Sequence, residues 1–105
     1  MKIIIDDHVN QIIKDTAHYI QVEFGKTARK EFVNEFRRVI KLLDENPQLG
    51  SEEPFLIGAP VLYRSIVVNH LNKLIYWING DIIEIVDFWD TRREPNDQAA
   101  RLIDV

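Results

Sequence analysis

Residues 63–95 read YRSIVVNHLNKLIYWINGDIIEIVDFWDTRREP, and this stretch decides the fold. β-Branched and aromatic residues fill three runs, Val61 to Val68, Leu71 to Ile78 and Ile82 to Trp89. Such runs, bounded by turn formers, predict strands. Asn79-Gly80 predicts a two-residue type I′ hairpin turn between the last two. Asn69-His70 allows another tight reversal between the first two. Apolar strands account for a sheet, but not for the cations that interrupt it. Arg64 and Lys73 lie inside two of the strands, and Arg92 and Arg93 close the third.

Upstream of this stretch the pattern changes to helical spacing. Lys2 to Ile5 reads as a short first strand, and Asp6-Asp7 offers oxygens to cap a helix. Apolar residues then recur at Val9, Ile12, Ile13, Ala17, Ile20 and Phe24, until Gly25 ends the helix. Thr27 is placed to cap a second helix with the stripe Ala28, Phe32, Phe36, Val39, Ile40 and Leu43. Asn46-Pro47 stops it, because the residue before proline is pushed out of the helical region. Gln48 to Pro60 is a loop in which Glu52 and Glu53 are expected to be exposed. The predicted architecture is α+β, β-α-α-β-β-β over residues 1–105, with a helical hairpin packed on one face of an antiparallel sheet.

Bulk properties narrow the class. A chain of 105 residues with 46% hydrophobic content is expected to form one domain with a core of its own. It has no cysteine, which excludes disulfides and zinc–thiolate sites. His8, His18 and His70 are too scattered to suggest a metal site, and no cofactor motif is present. The opening MKIII is short for a signal-peptide core, and no apolar run reaches membrane-spanning length, so a cytoplasmic protein without a membrane partner is expected. The net charge of −4 speaks against a surface wholly devoted to nucleic acid, but leaves room for a local basic cleft.

Register converts this pattern into faces, because side chains alternate along a strand. Two-residue turns would pair Ile78 with Asp81 and Val68 with Leu71. Arg64, Ile66, Lys73, Ile75, Trp77, Glu84, Val86 and Phe88 then share one face, continued by Asp90 and Arg92. Burying unpaired cations under helices is costly, so this face is expected to be the open one. Either the cations serve a function on this face, or Arg64 and Lys73 lay their stems over the sheet while Glu84 and Asp90 neutralise them. Asp87, on the opposite face near Trp89, reads as a hydrogen-bonded structural residue.

The element order, the Tyr63-Arg64 strand, the run Asn72-Lys73-Leu74-Ile75-Tyr76 and the segment Ile85-Val86-Asp87-Phe88-Trp89-Asp90-Thr91-Arg92-Arg93-Glu94-Pro95 together resemble the RelE/ParE superfamily of bacterial toxins. The resemblance spans nearly the whole chain. It implies the toxin half of a type II toxin–antitoxin module, neutralised by a cognate antitoxin in a hetero-oligomer. It also implies one of two activities. RelE-like members cleave ribosome-bound mRNA, whereas ParE-like members bind and poison DNA gyrase.

Cleavage through a 2′-hydroxyl needs a base, cations around the phosphate and an acid for the leaving oxygen. By the resemblance, Arg64, Lys73 and Arg92 match catalytic cation positions, and Trp77, Phe88, Asp90 and Arg93 are candidates for a target or antitoxin surface. A further basic position is occupied by Ile66, and the tail tyrosine position falls near Gln98. Arginine stabilises a phosphorane but is a poor base. Asp90 or His70 would have to serve instead. The expectation is therefore a ParE-like binding inhibitor or a weakened member, with the ribosome-dependent endonuclease as the alternative.

Overall fold

The computed structural model describes residues 1–103. The elements are β1 (Lys2–Ile5), α1 (Asp7–Phe24), α2 (Lys26–Glu45), β2 (Ser51–Glu52), β3 (Arg64–Val68), β4 (Asn72–Asn79), β5 (Ile82–Asp90) and α3 (Pro95–Ile103), with a 3₁₀ turn at Pro54–Leu56. The sheet order is β1-β5-β4-β3-β2. β1 runs parallel to β5, and every other pairing is antiparallel.

The predicted helical hairpin is present, and a single residue joins its arms. Gly25 sits at φ 97° and serves both helices, its N–H donating to Gln21 O at 2.9 Å and its carbonyl accepting from Arg29 N at 3.2 Å. A side chain would strain that left-handed backbone. Thr27 is not the cap; it lies inside the first turn, since α2 already begins at Lys26. The apolar stripes of both helices cover one face of the sheet. Val9, Ala17, Phe32, Val39 and Leu43 meet Val68, Leu74, Tyr76, Ile83, Ile85 and Phe88 in one buried cluster. The Phe88 ring stands edge-on to Phe32 and Phe36, with both centroid separations at 6.2 Å.

The other face is not open. Leu56 of the 3₁₀ turn and Ala99 of α3 pack over Ile75 and Trp89, with Tyr63, Val86 and Leu102 around them. Pro95 opens α3, where a missing N–H costs nothing. This helix lies in the tail for which no element was predicted.

Register explains the remaining departures. The β4–β5 turn is Gly80-Asp81, with Asn79 paired to Ile82 and Gly80 at φ 62° as the first turn residue. That two-step shift preserves the faces. The β3–β4 loop holds three residues, because Val68 pairs with Asn72 rather than Leu71. An odd shift turns every side chain of β3 over. A bulge opposite Ile75/Tyr76 accommodates Val86 as an extra residue and reverses the end of β5 in the same way.

Candidate functional site

The sheet separates the cations that the sequence suggested would converge. Arg64 pairs across from Tyr76 on the helix-facing side and donates from Nη1 to Gly50 O at 2.8 Å. Lys73 pairs with Trp89 on the reverse side. Its Nζ lies 2.6 Å from Glu53 Oε1 and 5.7 Å from the centre of the Phe55 ring. Glu53, expected in an exposed loop, has no exposed surface. Its carboxylate also accepts from Ser65 Oγ and Phe55 N, both at 2.9 Å. Loop residues give no periodic signal that would have revealed this burial.

Other expected site residues move with the register. Phe88, expected on a binding surface, is 2% exposed in the core. Trp77 is half-buried opposite Glu84, on the face away from the helical hairpin. Glu84 accepts from Asn79 rather than neutralising a strand cation. Asp87 is a fully buried structural carboxylate. It accepts from Phe88 N and Trp89 Nε1, both at 2.9 Å, and from Arg101 Nη2 at 3.0 Å and Nε at 3.1 Å.

A cleft of about 530 Å³ is built where β5 ends, between α1 and α3. Its wall includes Asp15 and Tyr19 of α1, Asp90, Arg92 and Arg93 at the end of β5, and Gln98 and Arg101 of α3. Asp90 organises one side. Its Oδ1 accepts from Arg92 N at 2.9 Å and Nε at 3.1 Å, and its Oδ2 accepts from Nη2 at 3.1 Å. The Arg92 hydrogen bond holds the Asp90 carboxyl below the usual carboxylate range, while Asp90 raises the Arg92 guanidinium further. The Asp90 backbone is clamped by Gln98, which accepts from its N–H at 2.9 Å and donates to its carbonyl at 3.0 Å. Arg93 lines this cleft and makes no ion pair among the described residues.

This cleft displays guanidinium groups and two carboxylates, of which Asp90 is held ionised against Arg92 while Asp15 accepts from Gln11 at 2.8 Å. Held in this way, Asp90 is a poor proton acceptor. Arg101 was missed, and Gln98 was noted only as the place of an absent tyrosine, because the tail was not read as a helix; their i, i+3 spacing after Pro95 was the available signal. Among the described residues no group of histidine and carboxylate side chains could hold a metal ion, and no helix is long and apolar enough to cross a membrane.

The molecule is thus a small α+β domain with a helical hairpin on one sheet face and a cationic cleft at the end of its last long strand. The family model described as ParE toxin of type II toxin-antitoxin system, parDE, matches residues 3–95, and the chain belongs to that family. Among solved structures it is similar to a chain of the chromosomal ParDE TA system from P. aeruginosa. That pair has a TM-score of 0.69 at 14% identity, covering 86% of this chain and 95% of the other. It is also similar to a chain of the YoeB-YefM complex from Staphylococcus aureus, with a TM-score of 0.53 at 21% identity, covering 84% and 93%. These likenesses establish the shared fold. Comparison with curated proteins gave no match.

Proposed function

We propose that this ParE-family toxin inhibits growth by binding its target, DNA gyrase, and that a cognate antitoxin holds it inactive by binding it in turn. The observation that carries the reading is the dispersal of the cations. Arg64 is spent on a backbone carbonyl, Lys73 on a buried carboxylate across the sheet, and Arg92 on Asp90. A ribonuclease would need them around one phosphate, beside a group able to take a proton. Asp90 is a poor base because Arg92 stabilises its ionised form. The name of the ParDE structure, a toxin–antitoxin system, supports an antitoxin partner for this chain.

Induced expression in a bacterium tests the reading. The expected result is growth arrest with cleaved or nicked plasmid DNA and intact transcripts. The antitoxin part predicts that co-expressing the small protein encoded beside this chain restores growth. Cuts within translated codons, abolished by Arg92→Ala, would overturn the gyrase reading in favour of a ribosome-dependent mRNA endonuclease.

A further inference from the structure

β1 stands at one end of the sheet and pairs with β5 alone among the described residues. The strand at the other end, β2, is two residues long and offers only Ser51 and Glu52. β1 instead presents Ile3, Ile4 and Ile5, with no proline or bulge to blunt the edge. Asp6 N–H donates to Ile85 O at 3.4 Å. Backbone groups alternate along a strand, so those of Lys2, Ile4 and Asp6 face β5, and those of Ile3 and Ile5 face outward. Side chains divide in the same rhythm. Ile3 and Ile5 turn toward the helices, where they line an apolar groove of about 400 Å³ with Phe36 and Ile40 of α2. Lys2, Ile4 and Asp6 lie on the reverse side and are all exposed, Ile4 by 37%. Neither Lys2 nor Asp6 makes an ion pair among the described residues. Asp6 precedes α1, yet its side chain makes no capping hydrogen bond.

We propose that a second copy of this chain docks along this edge, β1 against β1, antiparallel about a two-fold axis through Ile4. The segment is its own complement. Lys2 falls opposite Asp6 of the other copy, twice, and Ile4 meets its own mate between the two ion pairs. The outward backbone groups of Ile3 then exchange hydrogen bonds with those of Ile5 in the other copy. Ile4, whose backbone faces β5, takes the non-hydrogen-bonded position, where facing side chains lie closest. Ile5 of the other copy, opposite Ile3 and on the same face, is carried over the groove beside Phe36 and Ile40. Charge selects this register. Placing Ile3 or Ile5 on the axis keeps the backbone hydrogen bonds but sets Lys2 or Asp6 against Ile4. Two five-stranded sheets would thus join into one continuous sheet.

The test measures self-association of the full chain, purified by itself, by sedimentation over a range of concentrations. The expected result is a concentration-dependent species of twice the 12.3 kDa chain mass. Ile4→Lys brings two like charges together at the axis and is expected to weaken the dimer about tenfold or more. Lys2→Glu and Asp6→Lys are each expected to weaken it about fivefold. Both together in one chain are expected to restore it, because the charges merely exchange places. All three positions are exposed, and circular dichroism would verify folding. The chain has no cysteine, so Ile4→Cys reports the axis directly. Oxidation is expected to link two copies, since facing residues of a non-hydrogen-bonded pair lie within disulfide reach. Lys2→Cys, far from its own mate, is expected not to link. A chain that stays monomeric at every concentration would overturn the proposal. So would a dimer that ignores the charge variants, or one in which Ile4→Cys fails to link. A monomer whose Ile3 and Ile5 amides gain protection from hydrogen exchange only with the protein encoded beside it would make the antitoxin the occupant instead.

Discussion

The Lys73 ammonium lies 2.6 Å from a Glu53 carboxylate that has no exposed surface, while Lys73 itself keeps 24% of its side chain in contact with solvent. The pair is therefore asymmetric. Losing Lys73 strands a buried anion, whereas losing Glu53 leaves a cation that can turn to water.

Lys73→Met is accordingly predicted to destabilise the fold by about 3 kcal/mol, and Glu53→Gln by clearly less. Urea unfolding of both, with the double variant completing a cycle, measures the difference. Equal costs for the two single variants would contradict the asymmetry.

Tyr76 joins the sheet to the loop before β2. Its hydroxyl donates to Pro47 O at 2.8 Å and accepts from Gly50 N at 2.9 Å. Gly50 is needed there because a Cβ would come within 2.7 Å of Ser65 O and 2.9 Å of the Tyr76 ring. Tyr76→Phe leaves two backbone groups unpaired and is predicted to cost about 1–3 kcal/mol. Burial also pushes the phenol above its ordinary value of 10.0. The resulting stability is full below that pH and is lost as pH rises through the folded value. Thermal melts above about pH 10 should therefore show an alkaline decline in the unmodified chain that is smaller in Tyr76→Phe.

Asp90 behaves in the opposite direction. The Arg92 hydrogen bond lowers its carboxyl from an ordinary 3.8, so its contribution is present above that value and is lost as pH falls through the folded value. The melting-temperature gap between the unmodified chain and Asp90→Asn should be constant near neutrality and close in the acid range below about pH 4. The effect will be small, because the Arg92 side chain is 57% exposed and solvent screens the pair. A gap that persists unchanged at pH 2 would rule out the ion pair as its source.

Phe88 and Trp77 separate core from surface. Phe88→Ala is predicted to cost about 3–5 kcal/mol by opening a cavity against Phe32 and Phe36. Half-buried Trp77 should tolerate alanine at a lower cost, with chemical denaturation of both variants as the measurement. If Trp77→Ala instead proved as damaging as Phe88→Ala, the assignment of Trp77 to the outer side would be wrong.

Much of the fold was legible because it depends on local periodicity. The apolar stripes marked α1 and α2, and Gly25 marked their junction. The alternation along β4 and the start of β5 placed Leu74, Tyr76, Ile78, Ile83 and Ile85 on one face, where the helices cover them. The candidate site was much less legible. Arg64 and Lys73 were expected together, and the three-residue β3–β4 loop set them apart. Phe88 and Asp90 were expected beside Lys73, and the extra residue Val86 carried them to the opposite face.

What the sequence by itself determined was the order of β1, α1, α2, β3, β4 and β5, the helical hairpin and the resemblance to toxins of this superfamily, while β2 and α3 were not read from it. These rest on interactions between residues near one another in the chain. Only the tertiary structure decided which cations share a surface, why Glu53 and Asp87 are buried, and that α3 and the 3₁₀ turn close the second sheet face. The physical reason is the period of two along a strand. One residue more or fewer in a loop or bulge costs little locally, yet it reverses every side chain that follows.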